Sequence, residues 1–584
     1  VPIDNSDTSK ARAAVGRSVP GTALWLLRRL RRGAPRQARL IALMLAAVFA
    51  VVLANTFGQV RLNQWQGAFY NALERRNLPD FVAEIGVFFV IVAGLLTLGV
   101  AQTWIDATLK VKARAWVTDH VLSAWLQPRR AYLLGFSGEI ARNPDQRISQ
   151  DAARLTDLTI AFTIGLGQAS LLLVSFLGVL WTLSAEVVFS WRGESFTIPG
   201  YMVWCALAFT LIGSVLTWAV GRPLVARNAE TFAREGVFRT ELVRISENAK
   251  VITLEGGEAG ERAQTGRALG HLVVALQMLA NARARLTWIT AGYGWIGLVF
   301  PILVAAPGYF AGNMTLGSLM MVVGAFNQVQ NSLRWFIDNY PGIAEWQAAL
   351  QRVSALLVSL DALDADHDPA PRIEADAATT DRLVLDRLAV RLPDGGQGCV
   401  TLSEPRVEIA PAERVLILGA PGSGKTTLFM ALAGLWPWGQ GRILRPAGFR
   451  AMFLCEQPYI PDGTLIHALA YPQGSVDFAS DRAARALTDA GLGHLVDRLT
   501  EHNDWDADLS LGDRQRLGIA RLILHAPDWA MLDDCLSALD DGAGHDLLAL
   551  LKTRLPGTAF VVLAHRNDQE NFYTRVIGLK GATP

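Results

Sequence analysis

Apolar residues are unevenly spread along this chain. Before about residue 335 they gather into six uncharged runs, near residues 40–60, 85–104, 160–183, 199–220, 286–306 and 314–332. A helix crosses a hydrocarbon core of about 30 Å with about 20 residues, so each run is long enough to span a bilayer. One such run taken alone also fits a buried helix of a large soluble core. Six of them, alternating with charged loops, predict an α-helical membrane domain with six transmembrane helices. After about residue 383 the pattern changes. Short strand-like runs such as Arg414–Ala420 ("RVLILGA") and Thr558–His565 ("TAFVVLAH") alternate with helix-like ones such as Thr426–Leu435 and Arg514–Leu524. That alternation predicts an α/β domain on a largely parallel sheet.

Charge orients the first half. The segment between the second and third spans holds Lys110, Lys112, Arg114, Arg129, Arg130, Arg142, Arg147 and Arg154, and the segment from Arg222 to Arg285 is similarly basic. The connection containing Trp191 and Arg192, and the tight turn "GYFAGNM" at 308–314, carry almost no positive charge. The positive-inside rule then puts the long loops and both termini in the cytoplasm. Leu27–Arg39 ("LRRLRRGAPRQAR") reads as an amphipathic elbow on the inner leaflet, its arginines near anionic headgroups. It does not read as a signal peptide, because the apolar run that follows is too long and lacks a small-residue cleavage site. The chain opens on Val1, and a native segment is expected to precede it. Asp361–Arg382, rich in Asp, Ala and Pro, reads as a linker. The expected division is a cytoplasmic segment and elbow over 1–39, a transmembrane domain over 40–357, a linker over 358–382 and the α/β domain over 383–584.

Composition narrows the partners. In 584 residues, 51% are hydrophobic and 18% charged, too apolar for an ordinary soluble protein of this length. Lysine plus arginine (54) balance aspartate plus glutamate (53), so no basic field exists to hold nucleic acid. The expected partner at this point is a lipid bilayer. Cys205, Cys399, Cys455 and Cys535 lie far apart without CxxC spacing, and indicate neither a disulfide framework nor a zinc site.

The chemistry sits in the second half. The strand "RVLIL" runs into Gly419–Leu428 ("GAPGSGKTTL"), in which Gly419, Gly424, Lys425 and Thr426 satisfy GxxxxGK[ST] between a strand and a helix. Glycines let backbone amides wrap around phosphates, so Gly419, Gly422, Ser423, Gly424, Lys425, Thr426 and Thr427 are the candidate ATP-binding residues. Lys425 adds charge and the Thr426 hydroxyl is placed for Mg²⁺. Downstream, an apolar run ends on Asp533, the position of a carboxylate that holds the Mg²⁺ shell. Asp534 follows, positioned to polarise an attacking water. His565 ends a later strand, where an imidazole can contact the γ-phosphate. Asp534 is the candidate catalytic residue; His565, which alone reads as a structural strand end, joins it through the family order described next.

Leu509–Leu524 ("LSLGDRQRLGIARLIL"), just ahead of Asp533, resembles the signature helix of an ABC transporter nucleotide-binding domain. Its order with the P-loop, Asp533, "SALD" and His565 is that family's order. The resemblance implies that two such domains meet head to tail, each presenting Ser510, Leu511, Gly512 and Asp513 to ATP on the other, with Asp540 in the D-loop. A chain with one such domain is then a half-transporter working as a homodimer. Gln59–Phe81, Asn143–Asp151, Gly221–Glu258 and Leu333–Leu356 further resemble the bacterial SbmA/BacA-like transporters with a fused ATPase, associated with uptake of cobalamin, bleomycin and antimicrobial peptides. "GLWPWGQG" at 434–441 is shared with the peroxisomal fatty-acyl subfamily D. The similarity covers about residues 59–570.

Three positions depart from the ABC pattern. Glu456 fills the metal-sensing glutamine slot, with Gln457 one place later, so Mg²⁺ would meet Thr426, Asp533 and Glu456. Asp534 fills the slot of a catalytic glutamate and is one methylene shorter; misplacement by about 1 Å can cost ~10²-fold in rate. Asp513 stands where glutamine is usual. No aromatic residue occurs in Val390–Gly396, where adenine would stack, which leaves Leu392 or nearby apolar groups. The resulting expectation is an ATP-driven transporter of the bacterial inner membrane with a cytoplasmic ATPase domain, importing hydrophilic bulky cargo such as cobalamin or peptides. An exporter or fatty-acyl transporter, and a nucleotide-gated sensor with weak hydrolysis, stay open. No substrate-binding residue can be read from the spans.

Overall fold

A computed structural model of the chain describes residues 19–136, 143–185, 187, 189–191, 194–196, 198–364, 372–377, 380–392, 399–566 and 571–581. Val1, Arg142, Arg192, the middle of the linker and Pro393–Gly396, all used above, lie outside the described residues. The described residues form two compact units, one of residues 19–125 and 143–358, the other of 126–136 and 359–581. The expected fold class is present: a helical membrane domain and an α/β P-loop ATPase domain.

The membrane unit is built from long helices, because backbone inside lipid must satisfy its own hydrogen bonds. They are α1 (Val19–Gly33), α2 (Pro35–Glu74), α3 (Leu78–Trp125), α4 (Ala152–Ser184), α5 (Tyr201–Glu247), α6 (Ala249–Glu255), α7 (Glu258–Phe310), α8 (Leu316–Asp338) and α9 (Tyr340–Asp364). Among the described residues five helices are long and apolar enough to span: Pro35–Glu74, Leu78–Trp125, Pro144–Ser184, Tyr201–Glu247 and Glu258–Phe310. No more than 28% of any of their apolar windows is buried, which suits contact with lipid or a partner rather than a soluble core. The sixth expected span, 314–332, is helix α8 of 23 residues, but Asn327, Gln328, Gln330 and Asn331 dilute its apolar run. The helices of 40 to 53 residues also run well past a bilayer, since 40 residues rise about 60 Å.

Amides join these helices. Asn55 donates to Gln102 (3.4 Å), Gln102 to Gln168 (3.2 Å) and Gln328 to Gln59 (3.2 Å), tying α2 to α3, α3 to α4 and α8 to α2. The first turn of α8 is held by α2: the Leu316 amide donates to Glu74 Oε2 (3.0 Å) and the Gly317 amide to Asn71 Oδ1 (2.9 Å). A carboxylate suits a helix N-terminus. A side chain at Gly317 would collide with the Gly67 carbonyl, so this close approach needs glycine. Helix α1 buries Thr22, Leu26 and Leu30 along one face and ends at Gly33, so the stretch read as an elbow, Leu27–Arg39, is divided between α1 and the start of α2. Beyond the apolar stretches, Asp151 accepts a two-pronged bond from Arg352 of α9 (2.7 Å each) and Arg154 bonds Glu345 (2.6 and 2.5 Å).

The ATPase unit contains strands β1 (Glu374–Ala377), β2 (Leu383–Arg391), β3 (Cys399–Leu402), β4 (Arg406–Ile409), β5 (Arg414–Leu418), β6 (Gly439–Arg445), β7 (Ala451–Leu454), β8 (Trp529–Asp533), β9 (Ala559–Ala564) and β10 (Arg575–Lys580). Their order is β1-β6-β2-β3-β10-β5-β9-β8-β7, with β4 on β2. The run β10-β5-β9-β8-β7 is entirely parallel. Strands β8 and β9 are apolar almost throughout and buried, as a sheet covered on both faces requires. Helices α10 (Lys425–Leu432), α11 (Leu511–His525) and α12 (Asp541–Arg554) follow β5, precede β8 and follow β8 respectively. Within this unit the segment Leu126–Phe136 packs on the tryptophans of "GLWPWGQG". The Phe136 ring lies 5.4 Å from Trp436 and 5.1 Å from Trp438, edge-on to both.

Candidate functional site

The site forms where parallel strands end, because every loop leaving their C-terminal edge opens on the same side. Strand β5 ends at Leu418 and its loop turns into α10. Gly422 (φ +77°) and Gly424 (φ +90°) adopt left-handed backbone that side chains disfavour, and a side chain at Gly424 would also strike Val400. Lys425 is buried, its Nζ donating to the Gly419 (3.1 Å) and Ala420 (3.3 Å) carbonyls. The ammonium thus lies across the mouth of the loop. The Ser423 hydroxyl is buried without a protein partner, while Thr426 is exposed and Thr427 half-buried on the first turn of α10.

Strand β8 delivers Asp533 beside this loop. Its carboxylate is buried beside the Thr426 hydroxyl, and its Oδ1 has no protein partner. Burial pushes this carboxyl above its ordinary range; Asp534 and Glu456 push it further up, against the Thr426 hydrogen bond and the Lys425 charge. A buried carboxylate with a free oxygen next to a phosphate loop fits a hard cation. Among the described residues no three His, Cys, Asp or Glu cluster as a metal cage, so Mg²⁺ here would rest on Asp533, Thr426 and Glu456 with phosphate oxygens and water completing its shell.

Asp534 has φ +43°, a costly conformation for a residue with a side chain. Its amide donates to the Leu563 carbonyl of β9 (3.0 Å), and its Oδ1 lies 3.4 Å from His565 Nδ1. The structure therefore brings together Asp533, Asp534 and His565 from two neighbouring strand ends. A cavity of about 420 Å³ opens beside them, its wall including Asp534, Asp540, His545 and His565 and none of Gly419–Thr427. Leu392 is exposed at the end of β2, just before the undescribed Pro393–Gly396.

Ser510, Leu511, Gly512 and Asp513 gather elsewhere, at the N-terminus of α11. Ser510 caps the helix: the Asp513 amide donates to its Oγ (3.2 Å), and that Oγ donates to Asp513 Oδ2 (2.6 Å). Gly512 packs against Ala538 and Leu539. Asp540 caps α12 by accepting from the Ala543 amide (3.1 Å).

One residue escaped the sequence reading. Gln515 is fully buried; its Nε2 donates to the Glu456 carbonyl (2.9 Å) and to Ser537 Oγ (3.2 Å), and its Oε1 accepts from the Ala538 amide (3.0 Å). It ties the Glu456 loop, α11 and the Asp534–Asp540 loop together, so it is a positioning residue. The available signal was a glutamine on the apolar face of an otherwise amphipathic helix.

Two family profiles match the chain. The one described as "ABC transporter transmembrane region 2" covers residues 31–310, and "ABC transporter" covers 402–537. The chain is 29% identical over 544 residues to "Inner membrane ABC transporter ATP-binding protein YddA" of Escherichia coli (strain K12), across 92% of this chain and 93% of that protein. It is 28% identical over 612 residues to "ABC transporter D family member 2, chloroplastic" of Arabidopsis thaliana (93% and 84%). It is 26% identical over 579 residues to "Lysosomal cobalamin transporter ABCD4" of Homo sapiens (92% of each).

Proposed function

This chain belongs to the ABC transporters, multi-pass membrane proteins that couple ATP hydrolysis to transport, and on that premise we propose that two copies import a bulky hydrophilic solute, cobalamin or a peptide, across a bacterial inner membrane. For the ATPase step the supporting observation is Asp534 beside His565 at the strand ends next to the P-loop. For the cargo it is the similarity to a cobalamin transporter, joined to polar residues along the membrane helices.

Each chain residue then has a task. The amides of Gly422–Thr427 and the N-terminus of α10 bind the phosphates, and Lys425 gives up the Gly419 and Ala420 carbonyls for phosphate oxygens. Thr426, Asp533 and Glu456 hold Mg²⁺, which when bound offsets phosphate charge. Asp534 orients water and receives its proton, while His565 fixes the Asp534 carboxylate and faces the γ-phosphate. A lone P-loop leaves one side of that phosphate open, and the signature helix of a partner subunit closes it, with Asp540 at the joint. Closure passes to the membrane through Asn143–Asp151 and Glu235–Arg239. It requires ATP to favour the closed state by several kcal/mol, since a nearly complete shift needs about 5.5.

The test is Mg-ATPase activity of the full chain in nanodiscs, with cobalamin and peptide uptake into proteoliposomes alongside. Asp534→Asn is expected to lose at least ~10²-fold in turnover while still binding ATP. Full turnover by that variant would remove Asp534 from the mechanism. Stimulation by amphiphiles, with neither cobalamin nor peptide effective, would replace import with the fatty-acyl reading. A second reading, slow and gated turnover, is favoured by the Asp513 carboxylate already bonded to Ser510. It predicts that Asp534→Glu hydrolyses faster than the native chain.

A further inference from the structure

We infer that a polar pocket between α5, α7 and α8 is a subsite that anchors an anionic group of the transported solute, such as a carboxylate or phosphate, on Arg334. The inference rests on the transport reading above and adds the location and charge of a contact that the sequence left unassigned.

The pocket is lined by Thr210, Ser214 and Thr217 from α5, Tyr293 and Thr290 from α7, and Gln330 and Arg334 from α8, with Gly213 the remaining lining residue. Polar side chains lie at i, i+4 and i+7 on α5 and at i and i+4 on α8, so each helix turns one polar stripe to the same space. Both stripes fall at or near apolar runs, where an unneeded polar group is costly and a cation more so. Arg334 lies 18 residues beyond Leu316, about 27 Å along α8, and Thr210 nine beyond Tyr201, about 14 Å along α5. The pocket therefore reaches from mid-membrane depth toward the inner leaflet.

The donors decide the sign of the ligand. Thr210 donates to the Ala206 carbonyl (2.8 Å) and Tyr293 to the Phe209 carbonyl (2.9 Å), so both protons are committed to backbone. The Ser214 and Thr217 hydroxyls and the Arg334 guanidinium supply the remaining donors around the space, while the Gln330 amide lies against the Tyr293 hydroxyl. Arg334 meets Asp338 at 3.5 Å one turn along its own helix, and that carboxylate is 59% exposed, which makes the pair weak. The wall is rigid: Tyr293 and Phe300 stack on Phe209 at 4.4 and 4.5 Å, and any side chain at Gly213 would strike the Tyr293 ring. The free space, about 20 Å³, admits a single small group, so the body of a bulky solute would lie outside.

The test reads local potential without any cargo. In the full chain in nanodiscs, with Cys205, Cys399, Cys455 and Cys535 replaced by serine, Thr217→Cys or Ser214→Cys is modified with an anionic sulfonate and, separately, a cationic trimethylammonium methanethiosulfonate. The anionic reagent is expected to react faster at both positions, on the order of tenfold after correction for intrinsic reactivity. Arg334→Gln should remove the preference and Arg334→Lys retain it. Equal rates, a cationic preference, a preference that survives Arg334→Gln, or no reaction at either position would overturn the subsite. Because no cargo enters the experiment, its failure is separate from failure of the uptake assays, which test the transport reading.

Discussion

Asp513→Asn offers a direct test of how the two ATPase domains cooperate. In each chain the Ser510 hydroxyl donates to Asp513 Oδ2 at 2.6 Å, and α11 begins at the next residue, Leu511. A phosphate arriving at this helix terminus must take the Ser510 proton from a carboxylate and then sit roughly 5 Å from its charge. At an effective dielectric of about 20, one unit of like charge at that distance opposes binding by about 3 kcal/mol. The carboxylate is half-exposed, and halving the figure for solvent leaves about 1.5 kcal/mol, or about tenfold in affinity. Asn keeps the shape and an acceptor for Ser510, and gives up the favourable helix-dipole contact worth about 0.3–1 kcal/mol. The variant should therefore bind ATP more tightly while the fold becomes slightly less stable. Mg-ATPase rate against ATP concentration in nanodiscs measures the first, and thermal unfolding the second. The half-saturating ATP concentration should fall about tenfold, with a smaller fall at high salt. An unchanged or raised value would refute the argument that this carboxylate competes with the γ-phosphate.

The two forks onto α9 separate by burial. Asp151 is 7% exposed and its partner Arg352 48%, so Asp151→Asn should cost about 1–2 kcal/mol and a few degrees in Tm, whereas Glu345→Gln, with both ends exposed, should cost under about 1 kcal/mol; equal losses would contradict this. Phe136→Ala removes edge contacts to Tyr132, Trp436 and Trp438 worth about 0.5–1.5 kcal/mol each and should lower Tm by a few degrees while leaving basal Mg-ATPase intact, which an unchanged Tm would disprove. His525 is held below its ordinary pKa by burial and by Arg521, against bonds to the Ala470 and Leu469 backbone. Folding thus favours neutral imidazole, and this part of the stability is complete above about pH 6.5 and lost as pH falls toward the depressed folded value. Unfolding free energy should drop by up to about 1.4 kcal/mol per pH unit there, and His525→Gln should flatten the slope.

The membrane helices could be read from sequence because lipid forces apolar runs, yet their ends could not. Nothing in lipid marks where a helix stops once polar residues continue the same backbone, and α2, α3, α5 and α7 run 40 to 53 residues. Helix α8 shows the opposite failure. Its amides face other helices, as Gln328 faces Gln59, so a helix of spanning length falls short of the apolar criterion that its neighbours meet. The phosphate loop was legible because its chemistry is local, with glycine φ angles and one lysine fixed by adjacent residues. The left-handed Asp534, by contrast, depends on Leu563 of β9, 29 residues away in sequence, and Gln515 depends on two loops that only the fold brings to it. The Arg334 pocket was hidden for the same reason, since its stripes lie on three helices and each alone resembles ordinary packing.

The three departures from the family pattern share one physical consequence. Glu456, Asp513 and Asp534 are all acidic, and two of them stand where a neutral glutamine is usual. Lys425 is the cation folded against the phosphate loop, while Asp533 already resists ionisation because burial, Asp534 and Glu456 all disfavour its charge. Adding triphosphate to such a site raises the repulsion further, so binding must lean on Mg²⁺ more heavily than glutamines would require. Once hydrolysis divides the charge between products, the same repulsion speeds their departure. Weak grip on ATP and fast release are then two effects of one charge pattern, and a low affinity for nucleotide need not mean an idle transporter.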